Sequence, residues 1–139
     1  MVSKRVYIAP NVFVAFIDRA SPKHTHAAAF FRYFALEEYV LFTDTVSMVA
    51  AYNQIYERIS PTLAKDFLRA LDLGSINMLY PDESDIKAAL KTLITYRSTD
   101  LALPEALMAV MANRNRIQSI CTFEFLHSLY GLQAFFLPI

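Results

Sequence analysis

The sequence predicts an α/β fold: a three-layer α/β/α sandwich with a central, mostly parallel sheet of four or five strands. Short apolar or β-branched segments alternate with one or two helical segments along the chain, the order typical of parallel sheets covered by helices. Only two glycines occur in 139 residues, so few turns with positive φ are expected and an all-β fold is disfavoured. Hydrophobic residues make up 55% of the chain, which excludes disorder and suits a single domain over residues 1–139.

Capping residues and prolines place the elements of the first half. Asn11 is expected to cap the first helix, and Thr43 or Asp44 the third. Proline in the first turn marks the second and fourth helices. The expected segments are a strand over 5–8, helices over 11–18 and 21–38, a strand over 39–42, a helix from 43 or 44 to 59, and a helix from 60 that ends at Gly74.

The second half repeats this pattern. Asp82 or Ser84 is expected to cap a helix whose apolar residues share one face. The expected segments are a strand over 76–80, that helix, a helix over 103–113, a strand over 119–122, a short helix over 124–130 that stops at Gly131, and a strand over 134–137. Functional groups of such folds gather beyond the carboxyl ends of the strands, here 9–11, 43–44, 81–82 and 122–124.

Five segments resemble the PIN domain family, most closely the single-domain VapC-type toxin ribonucleases. They are YIAPNVFV at 7–14, the His, Ala and Phe pattern of 22–34, TDTVSMVA at 43–50, LPEALMAVMA at 103–112 and ICTFEFL at 120–126, with Gly131 after them. No single segment is specific, but their order and spacing cover nearly the whole chain. The resemblance implies that acidic side chains at the strand ends hold Mg²⁺ or Mn²⁺, which activates water to cleave RNA.

The sequence departs from the family at its four acidic positions. The first Asp falls on Ala9 and the Glu of the third helix on Ala50, while Glu105 and Glu124 replace two Asp residues; Asn11 is kept. Laboratory silencing of a toxic nuclease would explain Ala9 alone, whereas natural loss of the site explains all four changes. We therefore expect a catalytically degenerate binding or assembly module without a cofactor. The alternative is a weak Mg²⁺- or Mn²⁺-dependent ribonuclease that uses Asn11, Glu105 and Glu124.

Each candidate site residue also has a structural interpretation. Glu105 and Glu124 are either residual metal ligands or first-turn acids that face helix dipoles. Asp44 and Asp100 could replace missing ligands, but the favoured interpretation is that Asp44 caps the third helix and Asp100 belongs to a loop.

Basic residues, histidines and the cysteine give weaker signals. Arg114 and Arg116 form the one concentrated basic element, which either contacts nucleic acid or complements the end of its helix. His24 and His26 are two residues apart and do not share a helix face, so they do not form a metal pair. Cys121 is expected to be a buried thiol.

Partners follow from charge and from aromatic content. Thirteen basic and thirteen acidic residues cancel, which gives no support for strong RNA binding. Four aromatic residues within 30–34 cannot all face one core, so a homodimer is expected. The resemblance adds RNA or an antitoxin-like peptide as partners. A single cysteine, no signal peptide and no membrane-spanning stretch predict a cytoplasmic protein without membrane association.

Overall fold

A parallel sheet organises the described part of the chain, residues 3–96, 101–124 and 131–138 of a computed structural model. The strands are β1 (Arg5–Ile8), β2 (Val40–Asp44), β3 (Ile76–Leu79), β4 (Ser119–Cys121) and β5 (Gln133–Ala134). The helices are α1 (Pro10–Ile17), α2 (His24–Leu36), α3 (Thr45–Arg58), α4 (Pro61–Leu73), α5 (Glu83–Thr95) and α6 (Leu103–Arg114).

The strands follow the order β3-β2-β1-β4-β5, and every pairing is parallel. In this register Tyr7 of β1 lies opposite Phe42 of β2 and Ile120 of β4. The predicted α/β class, with a parallel sheet of four or five strands, is therefore confirmed.

Alternation along β1 separates two cores, one on each side of the sheet. Val6 and Ile8 belong to a buried cluster with residues of α1, α2, α3 and α4. Tyr7 points to the opposite face, where it joins a cluster with α5 and α6. Helices thus cover both faces, which makes the three layers that were predicted.

Local capping chemistry explains where most helices begin. Of the predicted alternatives, Asp44 caps α3 and Asp82 caps α5; Ser60, where the fourth helix was predicted to open, caps α4. The prediction that Asn11 caps α1 is wrong, because α1 begins at Pro10 and Asn11 lies inside its first turn. The second helix also begins later than predicted, at His24. The hydroxyl of Ser21 accepts the N–H of Lys23 and the carbonyl of Ser21 accepts the N–H of His24, which closes a turn before the helix.

Several boundaries move by a few residues. The structure extends β2 to Asp44 and α6 to Arg114, and the last strand is Gln133–Ala134 rather than 134–137. Two predictions fall outside the described residues. The short helix predicted over 124–130 lies almost entirely within the undescribed range 125–130, and the loop position of Asp100 lies within 97–100. Within the described residues, no helix has the length and apolar character needed to cross a membrane.

The aromatic residues of α2 pack within their own chain. Phe30 and Phe34 are buried, and both contact Phe135 after β5. Phe31 packs against rings of α1, and Tyr33 against Tyr39 and Phe135. The argument that this run needs a second subunit is therefore wrong, because residues distant in sequence supply its partners.

Candidate functional site

A cavity of about 240 Å³ opens beyond the carboxyl ends of β1 and β4. Ala9 and Thr122 follow these two strands, α3 provides one wall and the first turn of α6 provides another. The lining residues are Ala9, Pro10, Asn11, Ala50, Gln54, Ala102, Pro104, Glu105, Met108, Thr122 and Glu124. This is the sheet edge at which the sequence places the candidate site.

The structure brings the four positions of the resemblance together in this cavity. Ala9, Ala50, Glu105 and Glu124 all line it, so the alanines at two of the family's acidic positions border the same space as the two glutamates. Glu105 lies in the first turn of α6, where the helix dipole favours an acid. Within the described residues, no three His, Cys, Asp or Glu side chains form a group that could hold a metal ion.

Asn11 forms two hydrogen bonds that stabilise the turn after β4. Its Nδ2 donates to Oγ1 of Thr122 at 2.9 Å, and its Oδ1 accepts the N–H of Phe123 at 2.8 Å. Oγ1 of Thr122 also accepts the N–H of Glu124 at 3.1 Å. Asn11 therefore holds the backbone that presents Thr122 and Glu124 to the cavity. The sequence contains no signal for the two bonds of Asn11, which join residues more than a hundred positions apart.

Asp44 is enclosed in a buried polar cluster with Tyr7 and Ser47. One carboxylate oxygen of Asp44 accepts the N–H of Ser47 at 2.7 Å. The other oxygen accepts the hydroxyls of Ser47, at 2.9 Å, and of Tyr7. Asp44 is 1% exposed and is absent from the cavity lining, so its role is the predicted cap and not the suggested substitute ligand.

Burial affects the acidity of two nearby groups. Desolvation, reinforced by the negative charge of Asp44, raises the pKa of the Tyr7 hydroxyl far above its usual value, so Tyr7 remains a donor. Desolvation likewise raises the pKa of the Cys121 thiol, which the structure buries in β4 as predicted. Neither side chain is among those that line the cavity.

The two arginines of the basic element lie away from the cavity. Arg114, in the last turn of α6, forms an ion pair of 2.7 Å with the buried carboxylate of Asp85 in α5. Arg116 follows α6. Its carbonyl oxygen accepts a hydrogen bond of 3.3 Å from the guanidinium of Arg5, the first residue of β1. Nucleic-acid binding by Arg114 and Arg116 stays a prediction. Neither arginine is among the residues that line the cavity.

The histidines also have separate surroundings. Nδ1 of His24 lies 3.2 Å from the carbonyl oxygen of Ala15, whereas the ring of His26 stacks on Phe30 at 4.6 Å. They do not face a common point, in agreement with the sequence interpretation.

A second, apolar cavity lies at the other end of α1. Its volume is about 290 Å³, and the rings of Phe13, Phe31, Phe34 and Phe67 contribute to its walls. It lies between α1, α2 and α4, near the starts of β2 and β3. The sequence analysis did not predict this cavity.

No protein-family profile and no curated protein matches the chain. Several solved structures share its fold, among them the two that follow. The first is the Mycobacterium tuberculosis VapC20, described as a sarcin–ricin loop cleaving toxin, with 15% identity, a TM-score of 0.76, and coverage of 86% of this chain and 89% of that one. The second is FitAcB from Neisseria gonorrhoeae, with 13% identity, a TM-score of 0.63, and coverage of 94% and 96%. The PIN-like fold implied by the resemblance is thus confirmed.

Proposed function

We propose that this chain is a catalytically degenerate PIN-like module, related to VapC-type toxins, that binds partners instead of hydrolysing RNA. One observation carries the proposal. Ala9 and Ala50 face the same cavity as Glu105 and Glu124, so two of the four expected anions are absent from the place where a metal would bind.

The chemistry of Mg²⁺ explains why this loss matters. Mg²⁺ requires hard oxygen ligands in near-octahedral geometry, and each lost carboxylate removes both a ligand and a negative charge. Glu105 and Glu124 have side chains one methylene longer than the Asp residues they replace. A displacement of about 1 Å at a reacting centre can reduce the rate about a hundredfold.

The alternative is a weak Mg²⁺- or Mn²⁺-dependent endoribonuclease of the toxin–antitoxin type. The convergence of Asn11, Glu105 and Glu124 on one cavity supports it, because Mg²⁺ sites often use one or two carboxylates together with substrate phosphates. The fold shared with a toxin that cleaves the sarcin–ricin loop points to the same substrate class. In this alternative the bound metal would activate the attacking water, while Asn11 would keep Glu124 in place.

Metal binding and RNA cleavage distinguish the two functions. We expect the wild-type chain to bind Mn²⁺ only above millimolar concentrations and to cleave RNA no faster than Glu105→Gln. The double variant Ala9→Asp/Ala50→Glu should bind Mn²⁺ at least about tenfold more tightly, since it restores two anions to the cavity. Cation-stimulated cleavage by the wild type that disappears with Glu105→Gln and with chelator would overturn the proposal and establish the weak enzyme.

Partners are proposed on the same basis. An antitoxin-like peptide is supported by the apolar cavity between α1, α2 and α4, whose aromatic walls suit apolar side chains. RNA is the other proposed ligand, although a net charge of +0 provides no general attraction for it. We also propose a homodimer in the cytoplasm, where the buried thiol of Cys121 remains reduced.

A further inference from the structure

We propose that the apolar cavity between α1, α2 and α4 binds a small, uncharged aromatic molecule that carries one N–H or O–H donor, such as an indole or a phenol. The inference goes beyond the proposed function and depends neither on the degenerate site nor on RNA. It assigns to the cavity a ligand other than the antitoxin-like peptide proposed above, and the two would compete for one space.

The floor of the cavity belongs to the hydrophobic core. Phe13, Phe34 and Phe67 line it, although they are only 3%, 1% and 2% exposed. A helical peptide docks in an open groove through side chains spread over several turns, whereas a floor below the surface suits a small ligand. Unfilled space here is unfavourable because the wall atoms lack packing partners, so a ligand that fills it would stabilise the fold.

The size and the walls of the cavity suit an aromatic ligand. Its volume is about 290 Å³, whereas an apolar cavity of about 150 Å³ is enough for benzene, so a molecule of two fused rings fits. Ring contacts already order the walls: the centroids of Phe13 and Phe67 lie 5.3 Å apart, and those of Phe16 and Phe31 4.9 Å. A bound ring would extend these contacts, and ordered walls reduce the entropy lost on binding.

The lining favours a ligand without charge. None of the described residues that line the cavity is charged, and the polar side chains among them are those of Tyr39 and Ser75. An ion that entered would lose its hydration without meeting a side chain of opposite charge. The ligand is therefore neutral and largely apolar.

The end of α4 offers an acceptor for one donor of the ligand. In the other five helices of the described chain, the N–H of the residue after the helix bonds back to the last turn, but Gly74 after α4 forms no such bond. The carbonyl oxygen of Ala70 thus lacks the usual donor four residues on. Ala70 and Gly74 both line the cavity, and a Cβ atom at position 74 would lie 2.7 Å from that oxygen, so glycine leaves it uncovered. An N–H or O–H group of the ligand would supply the missing bond.

Indole is the probe for a test on the full chain. The chain contains no tryptophan, so the emission of indole can be excited selectively and followed on its own. Binding should be saturable, should shift this emission to shorter wavelengths, and should have a dissociation constant below about 1 mM. Ala35→Leu and Ala70→Leu, at exposed positions of the cavity wall, should each weaken binding about tenfold or more because leucine fills the space. Ala88→Leu is the matched control, since Ala88 is an exposed alanine of α5 that does not line the cavity.

The variants decide whether the cavity is the binding site. A wild-type chain without saturable indole binding overturns the proposal and leaves the cavity to the peptide. Equal binding by Ala35→Leu, Ala70→Leu and Ala88→Leu overturns the location. Circular dichroism verifies folding, and if one wall variant unfolds, the other carries the test. None of these measurements involves metal or RNA, so the proposed function is judged separately.

Benzothiophene tests the role of the donor, because it has the two-ring shape of indole without the N–H group. Each affinity is divided by the compound's partition coefficient between octanol and water, which removes the difference in hydrophobicity. Benzothiophene should then bind several-fold less tightly than indole, since it cannot donate to the carbonyl oxygen of Ala70. Equal corrected affinities would overturn the contribution of the end of α4.

Discussion

Two groups of polar side chains at the carboxyl edge of the sheet differ in what surrounds them. At the end of β2, Tyr7, Asp44 and Ser47 are buried and bond to one another. Beyond the ends of β1 and β4, Glu105 and Glu124 border an open cavity that Ala9 and Ala50 also line. The first group is closed to ligands, whereas the second borders a space that a ligand could enter.

The comparison separates side chains that stabilise the fold from side chains that border the candidate site on the same edge of the sheet. A buried carboxylate that accepts three hydrogen bonds, as Asp44 does, contributes to folding, and its removal leaves donors without partners. Acids that border an open cavity contribute less to folding, so alanine at such positions is compatible with the fold. The structure is consistent with this, since Ala9 and Ala50 line the cavity of an otherwise PIN-like fold.

The largest effect is expected at the buried cluster. Asp44→Ala removes the cap of α3 and leaves the hydroxyl of Tyr7 and the N–H of Ser47 without their acceptor. We expect a loss of about 2–6 kcal/mol in the free energy of unfolding, since each of the two buried donors left unpaired costs about 1–3 kcal/mol; the lost cap of α3 is the bond to the Ser47 N–H and is included in this sum. Urea unfolding followed by circular dichroism measures it.

Glu124→Ala serves as the control for that variant, because it removes an exposed carboxylate that follows β4. Its expected effect is within about 0.5 kcal/mol. Equal destabilisation by Asp44→Ala and Glu124→Ala would contradict the division between a structural cluster and an open cavity.

An effect of intermediate size on the free energy of unfolding is expected at Asn11, which bonds to the turn that borders the cavity. Asn11→Ala removes the two hydrogen bonds to Thr122 and Phe123, each contributing about 1 kcal/mol, although alanine in a helix returns a few tenths. We expect a loss of about 1–2 kcal/mol in the free energy of unfolding, measured by urea titration. Asn53→Ala, at an exposed position of α3, should leave it nearly unchanged. Equal free energies of unfolding for Asn11→Ala and Asn53→Ala would show that the bonds of Asn11 do not stabilise this edge of the sheet.

Local signals explain what the sequence could predict. The alternation of elements follows from apolar spacing, and the caps at Asp44, Ser60 and Asp82 involve atoms within three residues of each other. The positions that line the cavity followed from the resemblance and from the rule that strand ends converge at one edge. Each of these inferences uses nearby residues or one topological rule.

Distant contacts could not be predicted in the same way. The Tyr7–Asp44 bond spans 37 positions and the Asn11–Thr122 bond 111, so no spacing pattern marks them. The glycine count also did not indicate where positive φ values occur. After α2 and α6 the chain adopts positive φ at Glu38 and Arg116, with values of 57° and 58°. Helix-terminal hydrogen bonds allow ordinary residues to take a conformation that glycine adopts more easily.

The smallest effect is expected at Asp82, the exposed counterpart of the buried cap Asp44. The N–H of Asp85 lowers the pKa of the Asp82 carboxyl, and the charge of Arg114 adds to this. A carboxyl whose pKa is lowered by folding stabilises the protein above its unfolded pKa of about 4, and this contribution disappears as the pH falls through the folded value. Asp82→Asn keeps a capping oxygen but removes the charge.

The variant should therefore be slightly less stable than the wild type near neutral pH, and the two should converge as the pH falls below about 4. Urea midpoints measured from about pH 6 to about pH 3 give the comparison. A difference that stays constant over this range would show that the capping oxygen, and not its charge, stabilises α5. Because Asp82 is fully exposed, solvent screens the effect, which is why it ranks below those of Asp44 and Asn11.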